Sequence, residues 1–228
     1  MDIATPVLLT GEAGYLGSHL RDWLPETGAE VHLLVRSKSR ITPGENETVV
    51  YGGLTEGVDT GGVRAVTHLA ALTGVERAVD RPIDAWSVNA TGTVKLLESA
   101  WESNADRFVF VSTASIYGSP KYLPIDESRP RQSIELYVPS NQAADQAVNA
   151  YRDAYDLDAA TLRLFNTYGP GQPNYNVVPT IVSKTLEDDT VEIPRRAASV
   201  SRPRSLGGEP INEMSEGLRD TVEPHRPA

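Results

Sequence analysis

PVLLTGEAGYLGSHL, residues 6–20, reads as a strand, a glycine-rich turn and the start of a helix, and that order decides the fold. PVLLT (6–10) is a short apolar run of the kind buried on both faces. Leu16, Leu20, Trp23 and Leu24 then follow helical spacing, and Gly28 ends the helix. Between the two elements lie Gly11, Gly14 and Gly17. Glycines so placed permit a tight turn, a close approach of backbone to a pyrophosphate, and tight helix–strand contact. The helix N-terminus behind them offers unpaired N–H groups and the positive end of the helix dipole. Three glycines alone are a weak sign, and a plain glycine-rich turn is the alternative. A strand before them and a helix after them supply the context that a dinucleotide site requires.

Outward from this stretch, apolar runs alternate with helical patterns. EVHLLV (30–35), RAVTHLA (64–70), RFVFVS (107–112) and AATLRLF (159–165) read as strands. Val88, Val94, Leu97, Ala100 and Trp101 are expected on one face of a helix, and a further helix runs from about Ser140 to Tyr155. Strands that alternate with helices imply right-handed crossovers, hence an α/β fold with a doubly wound parallel sheet of the Rossmann type. Residues 36–63 are the exception: one short run, Val49–Tyr51, suits a strand, and Gly57, Gly61 and Gly62 erode the helix expected after it. The expected domain is residues 1–193. From Pro194 to Ala228 the chain holds six arginines, five acids and five prolines, so its charge is 6 − 5 = +1 against 15 − 26 = −11 before it. With few large apolar residues, that tail is expected to be mostly disordered.

The 228 residues carry a formal net charge of −10, with 31 acids against 21 basic residues, which disfavours phosphate-backbone contact and so a nucleic-acid partner. The absence of cysteine excludes disulfides, thiolate catalysis and cysteine-type zinc sites, and no metal ligands are expected. No apolar run approaches bilayer-spanning length, and MDIATPVLLTG lacks a basic leader, so the chain is expected in the cytoplasm with no membrane partner.

The second strand ends in Val35-Arg36, followed by Ser37 and Lys38. An acid there holds the ribose hydroxyls of NAD, whereas an arginine accommodates the 2′-phosphate of NADP. Arg36 therefore tilts the choice between NAD and NADP toward NADP, a solvated loop arginine being the other reading.

Seven stretches in order, TGEAGYLG (10–17), HLAALTGV (68–75), SVNATGTVKLLESA (87–100), FVFVSTASIYG (108–118), LPIDE (123–127), LYVPSNQAADQAV (136–148) and LRLFNTYGPGQ (162–172), together resemble the NAD-dependent epimerase/dehydratase family of the extended short-chain dehydrogenase/reductase superfamily. The resemblance implies an NAD(P)-dependent enzyme acting on nucleotide sugars, and a homodimer. It implies that Gly11, Gly14, Tyr15, Leu16 and Gly17 line the pyrophosphate and that Leu69, Ala70 and Ala71 pass beneath the adenosine side. Asn89 would support the cofactor side, its alternative being an ordinary helix-surface amide. Thr113 would hydrogen-bond the reacting sugar oxygen, Tyr137 would shuttle the hydroxyl proton, and Asn166 would face the substrate near the nucleotide phosphates. Ala114 and Ser115, at the substrate side of Thr113, replace the Asp-Glu pair of the dehydratase branch, so an epimerase or an NADP-dependent reductase fits better than an eliminating enzyme.

The family's Tyr-x-x-x-Lys reads Tyr137-Val-Pro-Ser-Asn141. A tyrosine titrates near 10. A cation about 5 Å away at an effective dielectric near 20 favours its phenolate by roughly 3 kcal/mol, or about two pK units. Asn141 supplies none of that, and Lys121 is the one lysine that could lean in. Gly53 and Arg64 stand where the family places acids, and the resemblance fades at Ile193, where the family continues into its C-terminal substrate lobe. The expectation is an epimerase-like protein with impaired activity; the alternatives are a non-catalytic NAD(P)-binding protein and a truncated or frame-shifted gene product.

Overall fold

The structure, a computed structural model, describes residues 3–36, 41–119, 122–131, 138–174 and 176–186. The expectations for Lys38, Lys121, Tyr137 and the tail from Pro194 fall outside these residues. In chain order the elements are β1 (Val7–Thr10), α1 (Tyr15–Glu26), β2 (Val31–Val35), β3 (Glu47–Tyr51) and β4 (Ala65–His68). There follow α2 (Val75–Asp80), α3 (Pro82–Trp86), a π-helical turn at Ser87–Thr91 and α4 (Gly92–Glu102). Then come β5 (Arg107–Thr113), a 3₁₀ turn at Ala114–Tyr117, α5 (Val138–Tyr155), β6 (Ala159–Leu164) and α6 (Val177–Leu186).

The six strands form one parallel sheet in the order β3-β2-β1-β4-β5-β6. Alternation along each strand divides its side chains between two cores. Val7 and Leu9 of β1, with Val31, Leu33 and Val35 of β2, pack against Leu24 of α1. Leu8, Val66, Phe108 and Phe110 point the other way, against Leu96, Leu97 and Ala100 of α4 and Ala144 and Val148 of α5. Among the described residues Phe108 is the largest fully buried side chain, and cutting it to alanine costs about 3–5 kcal/mol. This two-sided burial is why the strands read as continuous apolar runs rather than alternating ones.

The chain resolves into two compact units. The first is Met1–Gly118 with Arg131–Leu164 and holds the whole sheet; the second is Ser119–Pro130 with Phe165–Ala228. In the second unit the Arg129 guanidinium bonds the Ser119 and Tyr122 carbonyls, Gln172 Nε2 donates to the Thr167 carbonyl at 2.7 Å, and Thr180 Oγ1 reaches the Asn174 and Asn176 carbonyls at 2.7 Å each.

One expected helix face is displaced. Leu97 and Ala100 are buried, but Val94 and Trp101 are 38% exposed, and the buried set is Asn89, Ala90, Gly92, Thr93, Leu96, Leu97 and Ala100. Val94 and Trp101 lie in α4 itself, at the edge of the arc formed by Thr93, Leu96, Leu97 and Ala100, so the 3.6-residue period puts them on its flank; the π turn at 87–91 shifts only Val88 against that register. Trp23, read as part of the α1 core stripe, is 49% exposed. Between Gly52 and Arg64 no helix forms; the chain turns back through a Gly53–Gly57 bridge, with Leu54 packed tightly on Gly92.

Candidate functional site

The C-terminal ends of β1 and β4 adjoin at the point where successive connections leave the sheet in opposite directions, and a ligand crevice opens at such a point. Gly11 leaves β1 with φ +78, and a Cβ on it would lie 2.8 Å from the Ala70 nitrogen and 2.9 Å from the Leu69 carbonyl carbon. The loop therefore lies flat on residues 69–70. A Cβ on Gly17 would stand 1.9 Å from the Gly11 carbonyl oxygen, so α1 can begin directly behind the turn only with glycine there. Gly14 caps α1 with no side-chain hydrogen bond, which leaves the first amides of the helix without a side-chain acceptor. Tyr15 and Leu16 begin the helix and are half-buried; burial raises the Tyr15 phenol above its ordinary value. This donor-rich, glycine-lined cradle fits a dinucleotide pyrophosphate.

Behind the cradle runs a buried polar chain that the sequence reading missed. Thr93 Oγ1 must donate to the Asn89 carbonyl, 2.6 Å away, because a carbonyl can only accept. His68 Nε2, 2.9 Å from Thr93 Oγ1, is therefore the donor in that contact. Thr10 Oγ1 accepts the Ala70 and Leu69 amides at 3.0 and 3.2 Å and spends its proton on His68 Nδ1 at 2.7 Å. Every direction is forced, and the histidine is the neutral Nε2–H tautomer. Thr10, His68 and Thr93 are fully buried, and burial pushes the imidazole down to about 3. The sequence signal was available: a histidine inside the apolar strand AVTH, facing a threonine that ends the neighbouring strand.

Asn89 is 2% exposed, which rules out the surface-amide reading. Its Oδ1 accepts the Leu72 amide at 2.8 Å, and its Nδ2 donates to the Leu72 carbonyl at 3.2 Å and to Ser140 Oγ at 3.3 Å. It thus clips the loop that carries Leu69, Ala70 and Ala71, all half-buried, and ties that loop to the head of α5.

At the far end of β5, Thr113 is half-buried and its Oγ1 accepts the amide of the exposed Ser115 at 3.2 Å. Asn141 is 4% exposed on the sheet-facing side of α5, so the lysine position of the resemblance holds a buried neutral amide. Asn166 is exposed and belongs to the second unit. Arg36 is exposed at the end of β2, and among the described residues its guanidinium has no hydrogen-bond or ion-pair partner. The geometry therefore gathers Gly11, Gly14, Gly17, Leu69, Ala70, Ala71 and Asn89 into one connected assembly, and separately Thr113 with Ser115. Among the described residues no cluster of three or more metal-binding side chains occurs, and no helix is long and apolar enough to cross a membrane.

Residues 7–202 match the family model described as NAD dependent epimerase/dehydratase family, a match that runs past Ile193. A UDP-glucose 4-epimerase of Corynebacterium glutamicum is 33% identical over 173 residues, covering 72% of this chain and 51% of its own. The structure of a UDP-N-acetylglucosamine 4-epimerase from Methanobrevibacter ruminantium M1, in complex with UDP-N-acetylmuramic acid, superimposes with a TM-score of 0.74 at 25% identity, covering 83% of this chain and 65% of that one. That of a double mutant of DesIV, a dTDP-glucose 4,6-dehydratase from Streptomyces venezuelae, with NAD and DAU bound, gives 0.70 at 29% identity, covering 82% and 64%. The chain spans 51–64% of the length of the curated relatives it matches.

Proposed function

This chain belongs to the NAD dependent epimerase/dehydratase family, and from that premise we propose that it binds NAD in the cradle between β1 and α1 and acts on a nucleotide sugar in the manner of an epimerase. The observation that carries the reading is the packing of Gly17 against the Gly11 carbonyl, so close that a Cβ would stand 1.9 Å from that oxygen: it holds the glycine turn tight on the start of α1, where the first amides of the helix can meet a diphosphate. When bound, the nicotinamide supplies the hydride acceptor and donor.

The chain's own residues then have three tasks. Thr113 Oγ1 already accepts the Ser115 amide, so its proton remains to be donated to the sugar oxygen as charge develops there. Tyr137 takes the proton of the sugar hydroxyl when that carbon becomes a carbonyl and returns it when the carbon is reduced again. Return of the hydride to the opposite face would invert the centre. Asn166 contacts the nucleotide phosphates. Asn141 is uncharged, so Tyr137 lacks the lysine field and the proton transfer is slow. Ala114 and Ser115 offer no carboxylates for removal of water, which favours epimerisation over dehydration. Arg36, unpaired among the described residues, is free to receive a 2′-phosphate, and NADP is accepted alongside NAD.

The test is a titration of the purified chain with NAD⁺, NADH, NADP⁺ and NADPH by nucleotide fluorescence, followed by a panel of UDP- and dTDP-sugars with reduction of the bound nucleotide read by absorbance. Binding with slow reduction is expected, and no affinity for any of the four nucleotides refutes the reading. One observation favours a second reading, a nucleotide-binding protein without turnover: the lysine position is a buried amide. Binding with no reduction by any sugar of the panel selects it.

A further inference from the structure

Away from the cradle, one carboxylate is fully enclosed. Asp145, on α5 one turn beyond Asn141, has no exposed side-chain surface. Arg163 of β6 grips it as a fork, with Nε 2.7 Å from Oδ2 and Nη2 2.8 Å from Oδ1. The remaining nitrogen of that guanidinium, Nη1, donates to the Tyr117 hydroxyl at 3.1 Å, and the guanidinium carbon stands 5.7 Å from the centre of the Tyr117 ring. Arg131 reaches the same Oδ1 at 3.0 Å, and Asn149 Nδ2 lies 3.4 Å from it. Bonding to Asp145 raises the Arg163 pKa above its ordinary value, so the fork stays charged throughout the working range.

Tyr117 ends the turn that begins immediately after Thr113, and it is 4% exposed. In the sheet register, Arg163 is paired with Ser112 and Leu164 with Thr113. A single guanidinium thus joins the segment that presents Thr113 to the helix that carries Asn141. Its planar fork has all three nitrogens engaged, a geometry that a lysine ammonium cannot copy.

We propose that Arg163 is a positioning residue of this site: through Asp145 and Tyr117 it fixes the Thr113 turn relative to α5. The inference rests on the reading of Thr113 as the residue that holds the sugar oxygen. Reaction requires reacting atoms held to within fractions of an ångström, and small misplacement is paid in rate rather than in ground-state binding. The Tyr117 hydroxyl is the gentlest point at which to loosen the brace, because its removal leaves the buried ion pair intact.

The experiment uses the full chain with Tyr117→Phe, Arg163→Lys and the unaltered protein. Three quantities are read: NAD⁺ affinity, the single-turnover rate of nucleotide reduction by a UDP-hexose, and amide exchange at residues 113–118 in the NAD⁺ complex. The expected result is NAD⁺ affinity within about twofold of the unaltered chain, a reduction rate about tenfold lower in Tyr117→Phe and lower still in Arg163→Lys, and no change in the half-saturating sugar concentration. Exchange at 113–118 rises while that of β1 and β2 stays constant. A folded Tyr117→Phe and a folded Arg163→Lys that both keep the original rate and protection overturn the proposal. Should the unaltered chain bind NAD⁺ without reducing it, the functional reading fails by itself, and amide exchange at 113–118 alone decides the brace: a local rise sustains it and unchanged protection overturns it.

Discussion

Acid should destabilise this protein through a single imidazole. His68 is fully buried between two hydroxyls, and its pKa is pushed down to about 3 by loss of solvation. In the unfolded chain a histidine titrates near 6.5. Between those values the unfolded state holds a proton that the folded state refuses, so stability is complete above about pH 6.5 and declines as pH falls toward 3. Each pH unit in that window is worth about 1.36 kcal/mol, so lowering the pH from 7 to 4.5 removes about 2.5 kcal/mol through this one group. The neighbours leave no escape: Thr93 spends its proton on the Asn89 carbonyl, and the two amides already fill the Thr10 oxygen. A protonated ring would keep its donor to Thr93 and turn a second one on Thr10, whose oxygen is already filled, with Phe110 stacked on the imidazole and Phe108 set edge-on to it. The assay is urea unfolding at both pH values for the original chain and for His68→Gln. The variant is less stable at pH 7, but it lacks the titration, so the acid-induced loss should be smaller in it by about 2.5 kcal/mol. Carboxylates titrate alike in both proteins and cancel. Equal losses in the two, within about 0.5 kcal/mol, would refute the buried neutral histidine.

Three further outcomes follow from the site. Gly17→Ala drives a methyl group into the Gly11 carbonyl and should lower NAD affinity at least about tenfold, with a stability loss of about 1–3 kcal/mol, read by nucleotide fluorescence and urea midpoints. Asn141→Lys restores the cation of the Tyr-x-x-x-Lys spacing and should raise the rate of nucleotide reduction by about one to two orders of magnitude, with the ascending limb of its pH profile moved to lower pH; an unchanged rate assigns the deficit to another part of the chain. Arg36→Asp should weaken NADPH binding about tenfold or more while sparing NADH, measured by paired titrations, and equal effects on the two would make Arg36 a bystander.

The sheet was legible because its strands are covered on both faces, which writes them as unbroken apolar runs separated by helical spacing. The cradle was legible because its glycines answer to steric limits: Gly11 and Gly17 occupy places where a Cβ collides with backbone. The buried arc of α4 was only partly legible, since Val94 and Trp101 on its flank are as apolar as the residues it buries. Asn89 looked optional in sequence because nothing local marks an amide that bonds a loop 17 residues before it. Arg163, Asp145 and Tyr117 were passed over for the same reason: their meeting depends on β6 lying beside β5 and on α5 packing across both. Long-range polar pairings of this kind carry no periodic signature.

The strand order also bears on how the nascent chain must be handled. Val7 pairs with Val31 on one flank and with Ala65 on the other, so no strand finds both neighbours until two intervening stretches have been synthesised. After β3 emerges from the ribosome, the inner flank of β1 is a bare, unpaired edge on a largely apolar strand, and it stays so until β4 arrives to cover it. An all-parallel sheet contains no hairpin that could shelter that edge meanwhile, so the half-made protein is a ready template for strands of other chains. Its yield in a cell should depend on how quickly the segment from Gly52 to His68 follows, or on a chaperone that holds the first three strands apart from one another's copies.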